Sequence, residues 1–241
     1  MKVSRKLLIA AACLFVPALL VLIFLSSPLF YITHVIIDGN VRTPDEEIIS
    51  RMRVHETSNL VFFSTRAARE RLMENFFIGE VTFRRELPNI LHVYIYERRL
   101  MGYVEHMGFY LYLDDFGRVV DIRRYKDDPR PLLTGLQIRS FQMGERIDVP
   151  DTVALHAIVH YSLLLYHHDL IDRVTHMDVS DTNNIRILVN YWEFNVGGVL
   201  GADEKLRIML AMLEAMPDYD MMRGRTDLRQ LGSQFFFEIL Q

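Results

Sequence analysis

Two histidines stand four residues apart in a stretch whose apolar pattern predicts a helix. His156 and His160 would lie one turn apart on one helix face, a spacing that lets two imidazole rings bind the same zinc ion. The metalloprotease form of this pattern places a glutamate directly after the first histidine, where this chain has Ala157. Further ligands could come from His167, His168 and His176. The sequence favours a simpler interpretation, a polar helix face without a metal.

Two pairs of adjacent aspartates are the candidates for acid–base chemistry, Asp114-Asp115 and Asp127-Asp128. Neighbouring residues on an extended chain point to opposite sides, so neither pair forms a carboxylate dyad. Aspartates beside Gly, Phe or Pro are typical of turns, where the carboxylate accepts backbone N–H groups. We therefore interpret both pairs as turn residues.

Other catalytic patterns are absent from the sequence. No Gly-x-Ser-x-Gly is present. The glycines of Gly197-Gly198-x-x-Gly201 are too closely spaced for a phosphate-binding loop and lack its lysine. The single cysteine, Cys13, excludes a disulfide framework and a cysteine zinc site. We predict that the chain is not an enzyme and has no metal and no cofactor.

The N-terminal region has the pattern of a membrane span. Residues 7–33 contain no acidic, basic or histidine side chain. The apolar stretch 7–25 would extend about 28 Å as a helix, close to the thickness of a bilayer's hydrocarbon core. Basic residues precede it, namely Lys2, Arg5 and Lys6, and the exit at 25–28 has no Ala-x-Ala cleavage site. We expect an uncleaved helix.

The charge asymmetry predicts the orientation of this helix. The positive-inside rule assigns residues 1–6 to a cytoplasmic tail and residues 7–27 to the transmembrane helix, with the C-terminal part extracytoplasmic. Of the 27 basic residues of the chain, 24 then remain outside against 31 acidic ones, a net charge of −7. A nucleic-acid partner is not expected for such a surface.

Residues 28–99 contain two helical and three extended patterns in the order β-α-α-β-β. Residues 30–37 are predicted to be extended, and Thr43 is predicted to begin a helix as its N-cap, with Glu46 completing a capping box. A second helix is expected from Ser64 or Thr65, with an apolar stripe that is formed by Ala68, Leu72 and Phe76. Two alternating strands then flank a turn at Leu87-Pro88-Asn89.

Residues 100–241 are richer in strands. Residues 103–113 and 118–122 are predicted to flank a turn that ends at Gly117, and residues 129–135 to form a rigid crossing. A helix is expected at 150–167 with Val153, Ile158, Leu163 and Leu164 largely buried. Further predicted elements are strands at 174–179, 185–190, 194–200 and 234–240, and a helix from Asp203 to Met216.

Several short motifs along this order resemble the FtsQ/DivIB family of bacterial cell-division proteins. None is specific alone, but their order and spacing resemble the family over residues 5–241. They are Val35-x-Ile37-x-Gly39-Asn40, Arg84-Arg85-Glu86-Leu87-Pro88-Asn89, Ile95-Tyr96-Glu97-Arg98, Leu113-Asp114-Asp115-Phe116-Gly117, Pro131-Leu132-Leu133-Thr134-Gly135 and Asp227-Leu228-Arg229.

The resemblance implies a fold and a role. The fold would be a single N-terminal transmembrane helix followed by an α+β ectodomain, in which a POTRA domain at 28–99 precedes a β-rich domain at 100–241 with helices packed on an antiparallel-dominated sheet. The role would be a non-enzymatic scaffold at the division septum. Its partners would be small coiled-coil division proteins of the FtsB/DivIC and FtsL types, and other proteins of septal peptidoglycan synthesis. A membrane-anchored cell-envelope enzyme, such as a peptidoglycan hydrolase, is the alternative; it would need a cleft with convergent His, Glu or Ser groups.

The last predicted strand is the candidate partner-binding site. On a strand, Phe235, Phe237 and Ile239 share one wholly apolar face, and Phe236 lies on the mixed opposite face. A strand at a sheet edge could recruit a partner strand through its free N–H and C=O groups, and the family's coiled-coil partner is held near this strand. The candidate residues are Gln234, Phe235, Phe236, Phe237, Glu238 and Leu240. In the alternative, an interior strand, all three phenylalanines would lie in the core.

Overall fold

The computed structural model describes the backbone of residues 5–126, 128–215, 223–230 and 237–240, and the side chains of these residues except 5–12, 237, 239 and 240. The chain divides into two compact units, Met1–Glu97 and Arg98–Gln241. Within the described part of the chain, no helix combines the length and apolarity that crossing a bilayer requires.

The first unit begins with a helix and continues as a small α+β domain. Its elements are α1 (Arg5–Leu25), a 3-10 turn (Pro28–Phe30), β1 (His34–Asp38), α2 (Asp45–Met52), α3 (Thr65–Leu72), β2 (Ile78–Glu86) and β3 (Ile90–Glu97). The strand order is β1-β3-β2, with β1 parallel and β2 antiparallel to the central strand. The predicted β-α-α-β-β order is therefore present. Ile48, Met52, Ala68 and Leu72 bury the two helices on this sheet.

The start of α2 differs from the predicted capping box. The helix begins at Asp45 with Pro44 at the N-cap, and no side chain caps it. Thr43 is buried one residue earlier, and its N–H donates to Oε1 of Glu97 at 2.9 Å. The carboxylate of Glu97 also accepts the N–H groups of Val41 and Arg42, so a distant acid takes up donors of the loop before the helix.

The second helix matches its prediction at the start but not at the end. Ser64 caps α3 by accepting the N–H of Ala67, as its sequence predicts. The helix ends at Leu72, however, so Phe76 lies outside it and is partly exposed.

The second unit contains one large mixed sheet with two long helices. Its elements are β4 (Leu100–His106), β5 (Phe109–Asp114), β6 (Val119–Arg123), β7 (Leu132–Thr134), α4 (Thr152–His167), β8 (Val174–Asp178), β9 (Ile185–Val189), β10 (Trp192–Gly197), α5 (Ala202–Ala215), β11 (Arg223–Asp227) and β12 (Phe237–Leu240). The strand order is β12-β11-β10-β9-β8-β7-β4-β5-β6. The pairs β4·β7, β7·β8 and β10·β11 are parallel, and the other five are antiparallel.

Three predictions for this unit were wrong in detail. Residues 103–113 are two strands joined at Met107-Gly108, where both residues have positive φ, and not one segment. The predicted crossing at 129–135 contains β7, which pairs with β4 and β8. On α4, Ile158 is buried as predicted, but Val153 and Leu163 are exposed. This helix is apolar around most of its circumference, so spacing alone did not identify the face that meets the sheet.

Candidate partner-binding edge

The strand β12 is at one end of the nine-stranded sheet. Its antiparallel register against β11 places Phe237 opposite Thr226, Glu238 opposite Arg225, Ile239 opposite Gly224 and Leu240 opposite Arg223. Among the described strands, β11 is its one neighbour. A terminal strand of this kind leaves a row of main-chain donors and acceptors on its outer side.

The neighbouring strand β11 is fixed to the sheet by the chain's one tryptophan. Trp192 on β10 is fully buried, and its Nε1–H donates to Oγ1 of buried Thr226 at 2.8 Å. Its ring also lies against Gly224, where an added Cβ would come within 2.5 Å of the indole. Only glycine fits this close approach, so the indole sets both the position and the register of β11.

The solvent face of this edge has a row of alternating charges. Arg225 Nε lies 2.9 Å from Oε1 of Glu193 on β10. On its other side, the register places exposed Glu238 of β12 opposite Arg225. Opposite charges on neighbouring strands stabilise the pairing modestly, so the order Glu193, Arg225, Glu238 supports the antiparallel docking of β12.

The Asp227-Leu228-Arg229 motif ends β11. Leu228 is fully buried, and its N–H donates to the carbonyl of Asn195. Asp227 and Arg229 pair through several short contacts, and Arg229 Nη1 also donates to Oδ1 of Asn184 at 3.0 Å. The hydrogen bond from Arg229 holds the pKa of Asp227 below its usual range. The motif therefore closes the strand with one buried apolar residue between two paired charges.

A buried lysine secures α5 to β10. The ammonium of Lys205 donates to the carbonyls of Val196 and Gly198 at 2.7 and 3.2 Å, and the hydroxyl of Tyr161 donates to that of Gly198 at 2.8 Å. Burial lowers the pKa of Lys205 and raises that of Tyr161. At the glycines of the 197–201 loop, backbone carbonyl oxygens and not N–H groups point to one place. A phosphate would need N–H donors, so this loop is not suited to bind one.

The candidate strand residues lie partly outside the described chain. Gln234, Phe235 and Phe236 belong to residues that the structure does not describe, and the same holds for the side chains of Phe237 and Leu240. Glu238 is exposed. No sequence pattern indicates the contact between Trp192, Gly224 and Thr226, because more than 30 residues along the chain separate Trp192 from the other two.

The histidines considered for metal binding do not form one cluster in the part of the chain that the structure describes. His156 and His160 are exposed on α4, His168 Nε2 lies 3.0 Å from Oδ1 of Asp203, and His176 contacts Oγ1 of Thr134. No group of three or more His, Cys, Asp or Glu side chains suited to a metal occurs among the described residues.

The first aspartate pair lies at a turn, and its carboxylate at Asp114 accepts backbone N–H groups there, as the sequence predicts. Asp114 is buried, and its Oδ1 accepts the N–H groups of Phe116 and Arg118 in the β5–β6 turn. Its Oδ2 lies 3.1 Å from Arg98 Nη1 and 2.8 Å from Arg118 Nε. Of the second pair, Asp127 lies outside the described residues, and Asp128 accepts the N–H of Arg130.

Known proteins resemble both units. The family model described as "POTRA domain, FtsQ-type" matches residues 30–98. The chain is similar to the cell division protein DivIB of Clostridium botulinum strain Hall, with 23% identity over 225 residues that cover 93% of this chain and 88% of the relative. DivIB of Staphylococcus aureus is 35% identical over 99 residues, 41% of this chain and 23% of the relative. DivIB of Bacillus subtilis is 24% identical over 152 residues, 61% and 57%. Residues 30–98 thus match the FtsQ-type POTRA model, and the chain is similar to DivIB proteins of the FtsQ/DivIB family along most of its length.

Proposed function

We propose that this chain is a non-enzymatic, membrane-anchored scaffold of the divisome, which binds and stabilises other division proteins at the septum. Its relatives are named as cell division proteins. The observation that carries the proposal is the outer edge of β12, which terminates an otherwise well-anchored sheet.

The two ends of the large sheet differ in a way that supports this choice. At the β6 end, the N–H of Val119 donates to the carbonyl of Glu145, and its carbonyl accepts the N–H of Gly144 at 2.7 Å. Residues 143–147 thus form hydrogen bonds with main-chain groups at the start of β6. At the β12 end, the described residues include no such segment. An edge that is left for another chain is a recurrent route to strand addition.

The proposed occupant of this edge is an extended segment of a small coiled-coil division protein of the FtsB/DivIC or FtsL type. Such a strand would lie beside β12, next to exposed Glu238. A lysine or arginine at the matching position of the partner would extend the row of alternating charges by one strand. Phe236, on the same face in the strand pattern, is the proposed aromatic anchor.

The proposed anchor is α1, in a single-pass type II orientation with the second unit extracytoplasmic. The support is the charge-free sequence at 7–33, with Lys2, Arg5 and Lys6 before it. A reporter that is active only in the cytoplasm, fused after Gln241, should give no signal. A strong signal would reverse this topology.

Site-specific photo-cross-linking tests the edge directly. Cys13 is replaced by alanine, and a single cysteine at Glu238 receives a benzophenone maleimide in the full-length chain. We expect a cross-link to the small coiled-coil partner when both proteins are present in the membrane. Glu105, which is exposed on β4 of the same sheet, provides the matched control position. Equal cross-linking from both positions, or none from Glu238, would refute the assignment of the edge.

A further inference from the structure

The end of α1 is joined to the POTRA domain by hydrogen bonds and not by a free linker. The side-chain amide of Asn59, in the loop before α3, donates from Nδ2 to the carbonyl of Leu25 at 2.8 Å and so caps the last turn of α1. The following turns are also bonded, because the N–H groups of Ser27, Phe30 and Tyr31 donate to carbonyls three residues earlier. The helix therefore ends directly at the domain.

Aromatic and strand-like contacts strengthen this junction. The rings of Phe24 and Phe30 meet edge to face at 5.5 Å, and Phe30 is buried. The N–H of Leu60 donates to the carbonyl of Phe30 at 2.7 Å, and that of Ile32 donates to the carbonyl of Ser58. The loop at 58–62 and the chain leaving α1 are thus held side by side.

Two large apolar side chains remain exposed around this helix end. Phe62 and Leu29 are each 54% exposed, whereas most apolar side chains of this domain are buried or half-buried. The N–H of Phe62 approaches Oδ1 of Asn59, the same amide that caps Leu25, and Leu29 follows Leu25 by four residues. Arg85 donates from Nη2 to the carbonyl of Phe63, the residue that follows Phe62. We call Leu29 and Phe62 the junction surface.

We propose that the junction surface docks on the bilayer that α1 crosses, with both side chains in the boundary between headgroups and acyl chains of the extracytoplasmic leaflet. This inference rests on the membrane anchor of the proposed function. A helix from Leu7 to Leu25 would end at that boundary. Because Asn59 bonds to the carbonyl of Leu25, no flexible linker separates the domain from the bilayer surface. Apolar side chains flanked by a basic group are suited to this interface.

Quenching of a fluorescent label tests the docking in the full-length chain. The protein, with Cys13→Ala, is reconstituted in vesicles of phosphatidylglycerol and phosphatidylethanolamine, and single cysteines at Leu29 or Phe62 carry an NBD label. Iodide quenches labels in water, and lipids with a doxyl group on the acyl chain quench labels in the bilayer. We expect doxyl quenching at both positions. We also expect about fivefold weaker iodide quenching than at a water-exposed site, since interfacial apolar groups lie roughly 5–10 Å inside the boundary.

Two control positions separate this inference from the anchor itself. Val41 is 89% exposed and follows β1, whose five residues remove it from the junction by about 16 Å, so its label should be quenched by iodide. Leu20 lies within α1, five residues before its end, and should be quenched by the doxyl lipid. If Leu20 is lipid-quenched but either junction label is as open to iodide as Val41, the docking is wrong and the span remains. If Leu20 is not lipid-quenched, both proposals fail.

A substitution at Asn59 tests the positioning role of the cap. Asn59→Asp keeps the acceptor for the N–H groups of Val61 and Phe62 but cannot donate to the carbonyl of Leu25. We expect iodide quenching at Phe62 to rise toward the Val41 value while the melting temperature changes little. Unchanged protection in this variant would overturn the role assigned to Asn59.

Discussion

Glu97 and Arg98 show how one short motif serves two parts of the chain. The carboxylate of Glu97 accepts three consecutive backbone N–H groups, those of Val41, Arg42 and Thr43, at 3.1, 2.8 and 2.9 Å. Arg98 binds buried Asp114 in the second unit. Adjacent residues therefore have separate tasks, one in each unit, and this explains why an acid and a base stand together at this point of the sequence.

Glu97→Gln tests the first of these tasks. The amide keeps one acceptor oxygen but presents an NH₂ group toward backbone donors, so the loop should lose about 2 kcal/mol, as for other hydrogen bonds to a charged group. Amides 41–43 should then exchange with deuterium about 30-fold faster, since each 1.4 kcal/mol is a factor of about ten. Hydrogen-exchange mass spectrometry measures this locally.

The matched control for this change is Glu80→Gln, because Glu80 is exposed on β2 of the same domain. Its effect on exchange at 41–43 should be negligible. Exchange that is unchanged in Glu97→Gln would show that the carboxylate does not hold the loop.

Asp227 predicts a dependence of stability on pH. The hydrogen bond from Arg229 lowers the pKa of this carboxyl in the folded chain. A lowered folded pKa means that the stabilisation is complete above the unfolded pKa, about 3.9, and is lost as the pH falls through the folded value. Asp227→Asn should thus be less stable than the native chain at pH 7, and the difference should fade in the acid range.

Denaturant unfolding of both proteins from pH 7 down to pH 3 and below checks this expectation. Arg229→Gln should show a deficit that fades over the same range, because it removes the other half of the pair. A deficit that stays constant with pH would mean that the ion pair does not cause it.

At the scale of elements, the contact between β10 and β11 depends on one missing side chain. A Cβ at Gly224 would lie 2.5 Å from the ring of Trp192. Gly224→Ala should therefore destabilise the second unit by about 1–3 kcal/mol, the usual cost of overpacking a core. Trp192 is the only tryptophan of the chain, so its fluorescence reports the urea transition of this region.

Gly198→Ala is the matched control for this substitution, because a Cβ there would meet nothing closer than the carbonyl oxygen of Thr182 at 3.4 Å. Its unfolding midpoint should stay near the native one. Equal midpoints for Gly224→Ala and the native chain would contradict the assigned role of Trp192.

Local patterns predicted most helices and strands of the described chain, but they missed β7 and β11 and failed where tertiary contacts determine the structure. Alternation continues through Met107-Gly108, and a methionine with positive φ is not a usual turn signal, so the β4–β5 hairpin was missed. The α2 capping box failed because Glu97, more than 50 residues away, satisfies the donors before the helix. Sequence spacing contains no information on the β4–β5 pairing or on the hydrogen bond between Glu97 and Thr43.

The candidate edge was predictable only in part. The existence of a C-terminal strand follows from its apolar run, and its side-chain alternation follows from the two-residue period of a strand. The anchoring of its neighbour does not, because Trp192, Gly224 and Thr226 meet only when β10 and β11 pair in parallel. A parallel pair needs a long connection, which here includes α5.

At the scale of the whole molecule, the proposed scaffold role depends on an asymmetry of the large sheet. At one end, residues 143–147 bond to Val119 at the start of β6, and among the described strands the other end is β12. Exposed strand edges are normally blocked because they promote aggregation. An edge with a firmly held neighbour and a row of alternating charges is instead suited to a specific partner strand.

The affinity of the full-length chain for the proposed coiled-coil division partners is the most direct measure of this role. In nanodiscs, Phe236→Ala should weaken binding about 30-fold, equivalent to the loss of about 2 kcal/mol at an aromatic hot spot. The melting temperature should remain close to the native value. Phe141→Ala, at a partly exposed phenylalanine of the same unit, should leave the affinity unchanged. Native affinity in a folded Phe236→Ala protein would contradict the account.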